Sequence, residues 1–355
     1  MFEVRQIETA PGLVFDVSVG GPDDGAPVLM LHGFCVSRHY YTAQVEALAA
    51  AGYRAIAPNQ RGYAAGARHD PKDLDAYRME LLIRDALDIV EAAGHGAPRF
   101  HLVGHDWGGS LSWDIADRWP ERVASLTMLS RPHPRAFLRA LAMPDGEQAK
   151  RSSHHKWLLE PDAGPKVLAD NAKWVRDRLT RNGVPPAQIE AHLSVLGNPA
   201  GMEAAIAWYR ARGVRHDPVA PTKVPTLYIW GDNDDTVGRL AAEGTAEFIA
   251  APIVSSPWQG WGTIRRIRCR SRSVHCCLST PESIRCSGRL LLSLAGQNTT
   301  PLRNHRHTKR ARLGWTEMDV LDLGQNLTPV SRDSSTISNQ VKCSLVGWPI
   351  LGPVQ

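Results

Sequence analysis

The stretch that most constrains this chain is Phe100–Ser110, F-H-L-V-G-H-D-W-G-G-S. The apolar run Phe100 to Val103 reads as a buried strand, and Leu111 to Ala116 reads as a helix. Between them lies Gly104-His105-Asp106-Trp107-Gly108. A strand that turns straight into a helix lifts one side chain above the sheet and tolerates only small residues two positions either side, a demand that Gly104 and Gly108 meet. The helix then begins just behind Asp106, so its free N–H groups can stabilise negative charge that develops there. Aspartate stands where many such elbows carry serine. Its carboxylate is already ionised at neutral pH and needs no base for a first attack. It suits displacement at a saturated carbon, such as an epoxide ring carbon or one bearing halogen. The product is an ester on the protein that water must then cleave.

The surrounding pattern is alternating α/β. Residues 2–20 read as two strands joined at Pro11-Gly12. Val28–Leu31 is a continuous apolar strand ending at His32-Gly33-Phe34-Cys35, and a helix is expected from about Tyr41 to Ala51, closed by Gly52. Strands follow at Tyr53–Ala57, Phe100–Val103, Val123–Leu129 and Thr226–Trp230, with a helix at Met79–Ala93. Such alternation predicts a mostly parallel sheet covered on both faces. Its sites lie at the carboxyl ends of the strands, where Phe34, Asp106 and Asp234 fall. From Arg131 to Pro221 the strand rhythm stops, and the segment is charged, helix-prone and marked by Trp157, Trp174 and Trp208.

These residues resemble the α/β-hydrolase superfamily, in particular its Asp-nucleophile branch of epoxide hydrolases and haloalkane dehalogenases, over about residues 2–252. The resemblance implies a hydrolase core at 1–131 and 221–252 with a helical cap at 132–220. It implies Asp106 as nucleophile and, from an H-G-x-P-like loop, the backbone N–H groups of Phe34 and Trp107 as the oxyanion hole. Cys35 stands where the family has proline, and a cysteine does not restrict its backbone as proline does. Trp107 has two readings, a halide donor through its indole or plain pocket packing. His32 reads as a structural hydrogen-bonder.

Ala207-Trp208-Tyr209-Arg210 resembles the N-W-Y-R stretch of epoxide hydrolase caps, which makes Tyr209 the acid that protonates the opening ring; the alternative is a packed cap tyrosine. The family's second cap tyrosine has no counterpart in Ser152-Ser153-His154-His155-Lys156-Trp157, where His154 or His155 is the candidate substitute in the substrate pocket. Arg61-Gly62-Tyr63 resembles a structural R-G-Y loop. In Gly231-Asp232-Asn233-Asp234-Asp235 the family's G-x-x-D pattern selects Asp234 as the acid that orients a histidine, with Asp232 and Asp235 chemically near-equal; a calcium loop competes, but the spacing is not an EF-hand. No metal or cofactor is expected.

The family's histidine should follow one strand after the acid, yet the first histidine after Asp234 is His275, in R-S-V-H-C-C. Composition changes at the same place. The net charge of +5 divides into +9 for residues 253–355 and −4 for residues 1–252, and five of the six cysteines lie past 252. Read in another frame with GC-rich codons, Trp258–Ser273 permits A-G-V-G-H-Y, which resembles the missing histidine loop. The expectation is a frame change near Pro252, a disordered tail over 253–355, and loss of the last strand and helix. Taken at face value, the Arg- and Ser-rich tail is a nucleic-acid binder, or its cysteines with His275 hold zinc. Neither a C-x₂-C pair nor interleaved aromatics supports this, so no nucleic acid is expected. The body is nearly free of cysteine, which fits a reducing, cytoplasmic compartment. No apolar run reaches the ~20 residues of a membrane span, so no membrane partner is expected; the resemblance implies a small-molecule substrate, and the oligomeric state is left open. The leading activity is epoxide opening to a diol; haloalkane dehalogenation is the near alternative, set back by the apolar Phe34. A non-catalytic product of a disrupted gene is the alternative of another class.

Overall fold

The computed structural model describes residues 2–212, 219–251 and 253–258. His275, the later cysteines and the basic segment 265–273 lie outside the described residues.

The chain opens with β1 (Phe2–Ala10) and β2 (Leu13–Gly20), an antiparallel pair turning at Pro11-Gly12 with Gly12 at φ +77°. β3 (Pro27–Leu31) and β4 (Arg54–Pro58) are buried at every position, as strands covered on both faces must be. Between them runs α1 (Thr42–Ala50), preceded by a 3₁₀ turn at Arg38–Tyr41. Then come α2 (Met79–Ala93), β5 (Phe100–His105), α3 (Asp106–Arg118) and β6 (Val123–Leu129). After the helical segment follow β7 (Thr226–Gly231) and β8 (Ile253–Trp258). The sheet has eight strands in the order β1-β2-β4-β3-β5-β6-β7-β8; β2 pairs antiparallel with β1 and β4, and all other pairs are parallel. This is the α/β-hydrolase arrangement expected.

The expectation of a lost last strand is corrected. Residues 253–258 pair in register with Thr226–Gly231. The free edge of β7 offers a row of unpaired backbone groups, and a segment that begins with β-branched Ile253 and Val254 can satisfy them. Pro257 is tolerated because β8 is the edge strand. The boundary after 252 therefore does not end the sheet. The helix expected to be missing falls beyond 258, outside the described residues.

Between β6 and β7 the chain is helical: α4 (Pro134–Leu141), α5 (Glu147–Arg151), α6 (His154–Trp157), α7 (Ala163–Arg181), α8 (Pro186–Leu196) and α9 (Pro199–Ala211). α7 is interrupted at Asp170, Asn171 and Ala172, which adopt left-handed conformations. α9 is tied to the core where the Trp208 indole donates to the Arg61 carbonyl at 3.1 Å. Arg61 itself forms a two-pronged buried ion pair with Asp85, 2.6 and 2.7 Å, which locks the R-G-Y loop onto α2.

Candidate active site

The elbow stands on contacts that only glycine permits. A Cβ on Gly104 would lie 2.4 Å from the Ser112 hydroxyl, and one on Gly108 would lie 2.2 Å from the Leu31 carbonyl oxygen. So close an approach lets the Gly108 N–H donate to the His32 carbonyl at 3.0 Å. It seats α3 directly on β3 and forces Asp106 into the left-handed region at φ +50°. A strained residue at the end of a central strand, held by its surroundings, is where function concentrates. Cys35, in the facing loop, is also left-handed at φ +67°. Its thiol is buried, and burial pushes it up to about 12, so it is an inert packing group rather than a thiolate.

The Phe34 N–H donates to Asp106 Oδ1 at 2.8 Å, and the Trp107 N–H bonds the same carboxylate. Burial acts to raise the Asp106 pKa, but His105, the Phe34 N–H, Arg131 and the Trp107 N–H together outweigh it and hold the group below its ordinary value. The structure thus brings Phe34, Trp107 and Asp106 together. His32 lies beneath, fully buried, its Nδ1 3.0 Å from the Gly33 carbonyl, with its pKa pushed down to about 4, chiefly by burial.

Asp234 is fully buried at the end of β7, whereas Asp235 is exposed and pairs with Arg178 at 3.4 Å. Asp234 Oδ1 accepts from the Thr236 N–H and hydroxyl, both at 2.8 Å, and from the Val237 N–H at 2.9 Å. Its Oδ2 accepts from the Ser130 hydroxyl, and its carbonyl from Arg151. Ser130 also lines the cavity that Asp106 lines.

The helices supply the roof. The Tyr209 ring packs edge-on against Phe34 and Trp107, 5.1 Å from each, and its hydroxyl bonds the Trp107 side chain. Burial, then Asp106, pushes its pKa well above the usual value, so it stays protonated. His154 and His155 are in edge contact at 4.4 Å and line the Asp106 cavity with Ser130, Arg131, Ser152 and Thr236. Burial first, then His154 and the cations Arg212 and Arg131, drives His155 down to about 3, leaving it neutral. The cavity measures about 20 Å³, room for a water.

The sequence-based reading did not single out Arg131, Arg212 or Ser130. Arg131 and Ser130 sit at the carboxyl end of β6, so the strand-end rule that selected Phe34, Asp106 and Asp234 applied to them as well.

The alpha/beta hydrolase fold family matches residues 26–252. The chain belongs to the α/β-hydrolase fold family. The family match ends at residue 252, six residues before the last described strand does. This α/β-hydrolase is 28% identical over 247 residues to the AB hydrolase superfamily protein YfhM of Bacillus subtilis, spanning 68% of this chain and 85% of that protein. It is 30% identical over 281 residues to epoxide hydrolase A of Mycobacterium tuberculosis, spanning 66% of this chain and 84% of that protein. A solved structure of an epoxide hydrolase from Bacillus megaterium superposes with a TM-score of 0.64 at 24% identity, covering 73% of this chain and 93% of that one, which shows a shared fold. The chain is thus an epoxide hydrolase-like α/β-hydrolase. No helix among the described residues is long and apolar enough to cross a membrane.

Proposed function

We propose that this α/β-hydrolase opens epoxides of small molecules through a covalent ester on Asp106. The observation that carries the reading is the Asp106 carboxylate itself: raised on the elbow at φ +50°, ionised, and addressed by the Phe34 and Trp107 N–H groups. An Asp106 oxygen attacks a ring carbon. The carbon–oxygen bond of the ring breaks, and the oxygen takes a proton from Tyr209. The same two N–H groups then suit the oxyanion formed when water attacks the ester. That second step needs a base. Asp234 is its supporting acid, and the loop pattern in which the family carries its histidine does not follow it: the first histidine after Asp234 is His275, in R-S-V-H-C-C and outside the described residues, in keeping with a frame change near Pro252. The chain therefore forms the ester and stops.

Incubation with styrene oxide tests this. The expected result is one added substrate mass on Asp106, found by peptide mass spectrometry, with about one turnover per molecule and no adduct in D106N. Sustained diol formation would show that another group supplies the base and would sink the frame-change reading. Halide release from haloalkanes with no epoxide adduct would turn the assignment to a dehalogenase. A version restored to the alternative frame should turn over repeatedly.

A further inference from the structure

Two guanidinium groups stand at the Asp106 site without an acidic side chain of their own among the described residues. Arg131 lines the cavity, stacks on the Phe137 ring at 4.6 Å, and its Nε is buried with no hydrogen-bond partner. Arg212 lies over the Trp107 ring at 5.6 Å and reaches His155 Nδ1 at 3.3 Å. Arg178, the third cation nearby, is matched by Asp235. Burial, then Arg212, brings the Arg131 pKa down to about 10, so it remains a cation at neutral pH. With His155 neutral, Arg131 and Arg212 face one negative group, Asp106. An unmatched charge in a half-dry cavity is costly unless a ligand brings the opposite charge.

We infer that the preferred substrate is an epoxide bearing a carboxylate next to the ring, with the carboxylate received by Arg131. The inference rests on the reading of Asp106 as nucleophile. A substrate carboxylate beside the Asp106 carboxylate would repel it, and the Arg131 guanidinium, which lines the same cavity, offsets that repulsion. The planar donor fork of arginine also fixes which ring carbon faces Asp106. The step balances as before: one Asp106 oxygen–carbon bond forms, one ring carbon–oxygen bond breaks, and the ring oxygen takes the Tyr209 proton, which solvent replaces.

The test compares oxirane-2-carboxylate with its amide, which has the same shape and no charge. The full chain is incubated with each, and the rate of Asp106 adduct formation is read by mass spectrometry. The acid should label Asp106 at least about tenfold faster, the scale of a charge-assisted contact. R131Q should bring the ratio close to one, and R131K should keep it above one, which lost packing would not do. A ratio at or below one in the unaltered chain, with the amide still labelling Asp106, overturns the inference and leaves the nucleophile in place. A full ratio retained in R131Q overturns Arg131 as the receiving group. No label from either compound removes both readings.

Discussion

Replacing Gly108 by alanine tests whether the elbow's geometry, rather than the mere presence of Asp106, sets the chemistry. The new Cβ would lie 2.2 Å from the Leu31 carbonyl oxygen, 2.4 Å from its carbon and 2.6 Å from the His32 carbonyl oxygen. All three atoms are backbone of the central strand or its end, so they do not swing aside. To regain ordinary contact α3 must withdraw from β3 by about 1 Å, stretching the 3.0 Å bond from the Gly108 N–H to His32. Overpacking of this kind costs about 1–3 kcal/mol. The same displacement carries the Trp107 N–H and Asp106 out of line, and a 1 Å misplacement lowers a reaction rate by about 10²-fold. The assay is the rate of Asp106 alkylation by an epoxide, with the urea midpoint measured alongside. Gly52→Ala serves as the control, since its Cβ meets nothing within 4 Å and only its φ of +86° is strained. It should lose about 1 kcal/mol of stability and keep the alkylation rate. A Gly108→Ala variant that alkylates at the original rate with an unchanged midpoint would refute the argument.

Tyr209→Phe keeps the ring contacts with Phe34 and Trp107 but removes the proposed proton donor, so alkylation of Asp106 should slow by about 10²–10⁴-fold; an unchanged rate removes Tyr209 from the step. Asp85→Ala strands the Arg61 guanidinium, whose ion pair is 6% exposed on both sides, and should cost about 3–5 kcal/mol in chemical denaturation; a loss under 1 kcal/mol would contradict the locking role of this pair. Acid should weaken the fold through buried histidines. Burial holds His32 at about 4 and His192 at about 3, both down from 6.5. The unfolded chain takes up these protons first, so the contribution is complete above 6.5 and is lost as pH falls from there to about 4 for His32 and about 3 for His192. At pH 5.5 each histidine forfeits about 1.4 kcal/mol, and a urea midpoint that failed to drop between pH 7 and 5.5 would count against it.

Much of the architecture was legible because its signals are local. Val28–Leu31 and Phe100–Val103 are short, mostly apolar runs followed within two residues by glycine, and the observed strands lie within a residue or two of those expected. The helical segment announced itself by the loss of that rhythm after Arg131. The last strand was misjudged because composition past Pro252 differs from the body, whereas pairing depends on what the β7 edge offers rather than on where a segment's residues come from. The acidic turn was legible as a cluster in which the G-x-x-D pattern picked Asp234, and burial separates it physically from its exposed neighbour Asp235.

By itself the sequence determined the position of the candidate nucleophile and the shape of its support: an aspartate between two glycines, on a strand-to-helix turn, needs no long-range information to be recognised. Only the tertiary structure decided the electrostatics around it. Arg131, Arg212, His155 and Tyr209 are separated from Asp106 by 25 to 106 positions in the chain, and their charge states follow from mutual distance and loss of solvent. Coulombic and desolvation effects act through space, so no spacing along the chain encodes them. A surplus cation beside an ionised carboxylate arises when the sheet and the helices above it close around the same small volume.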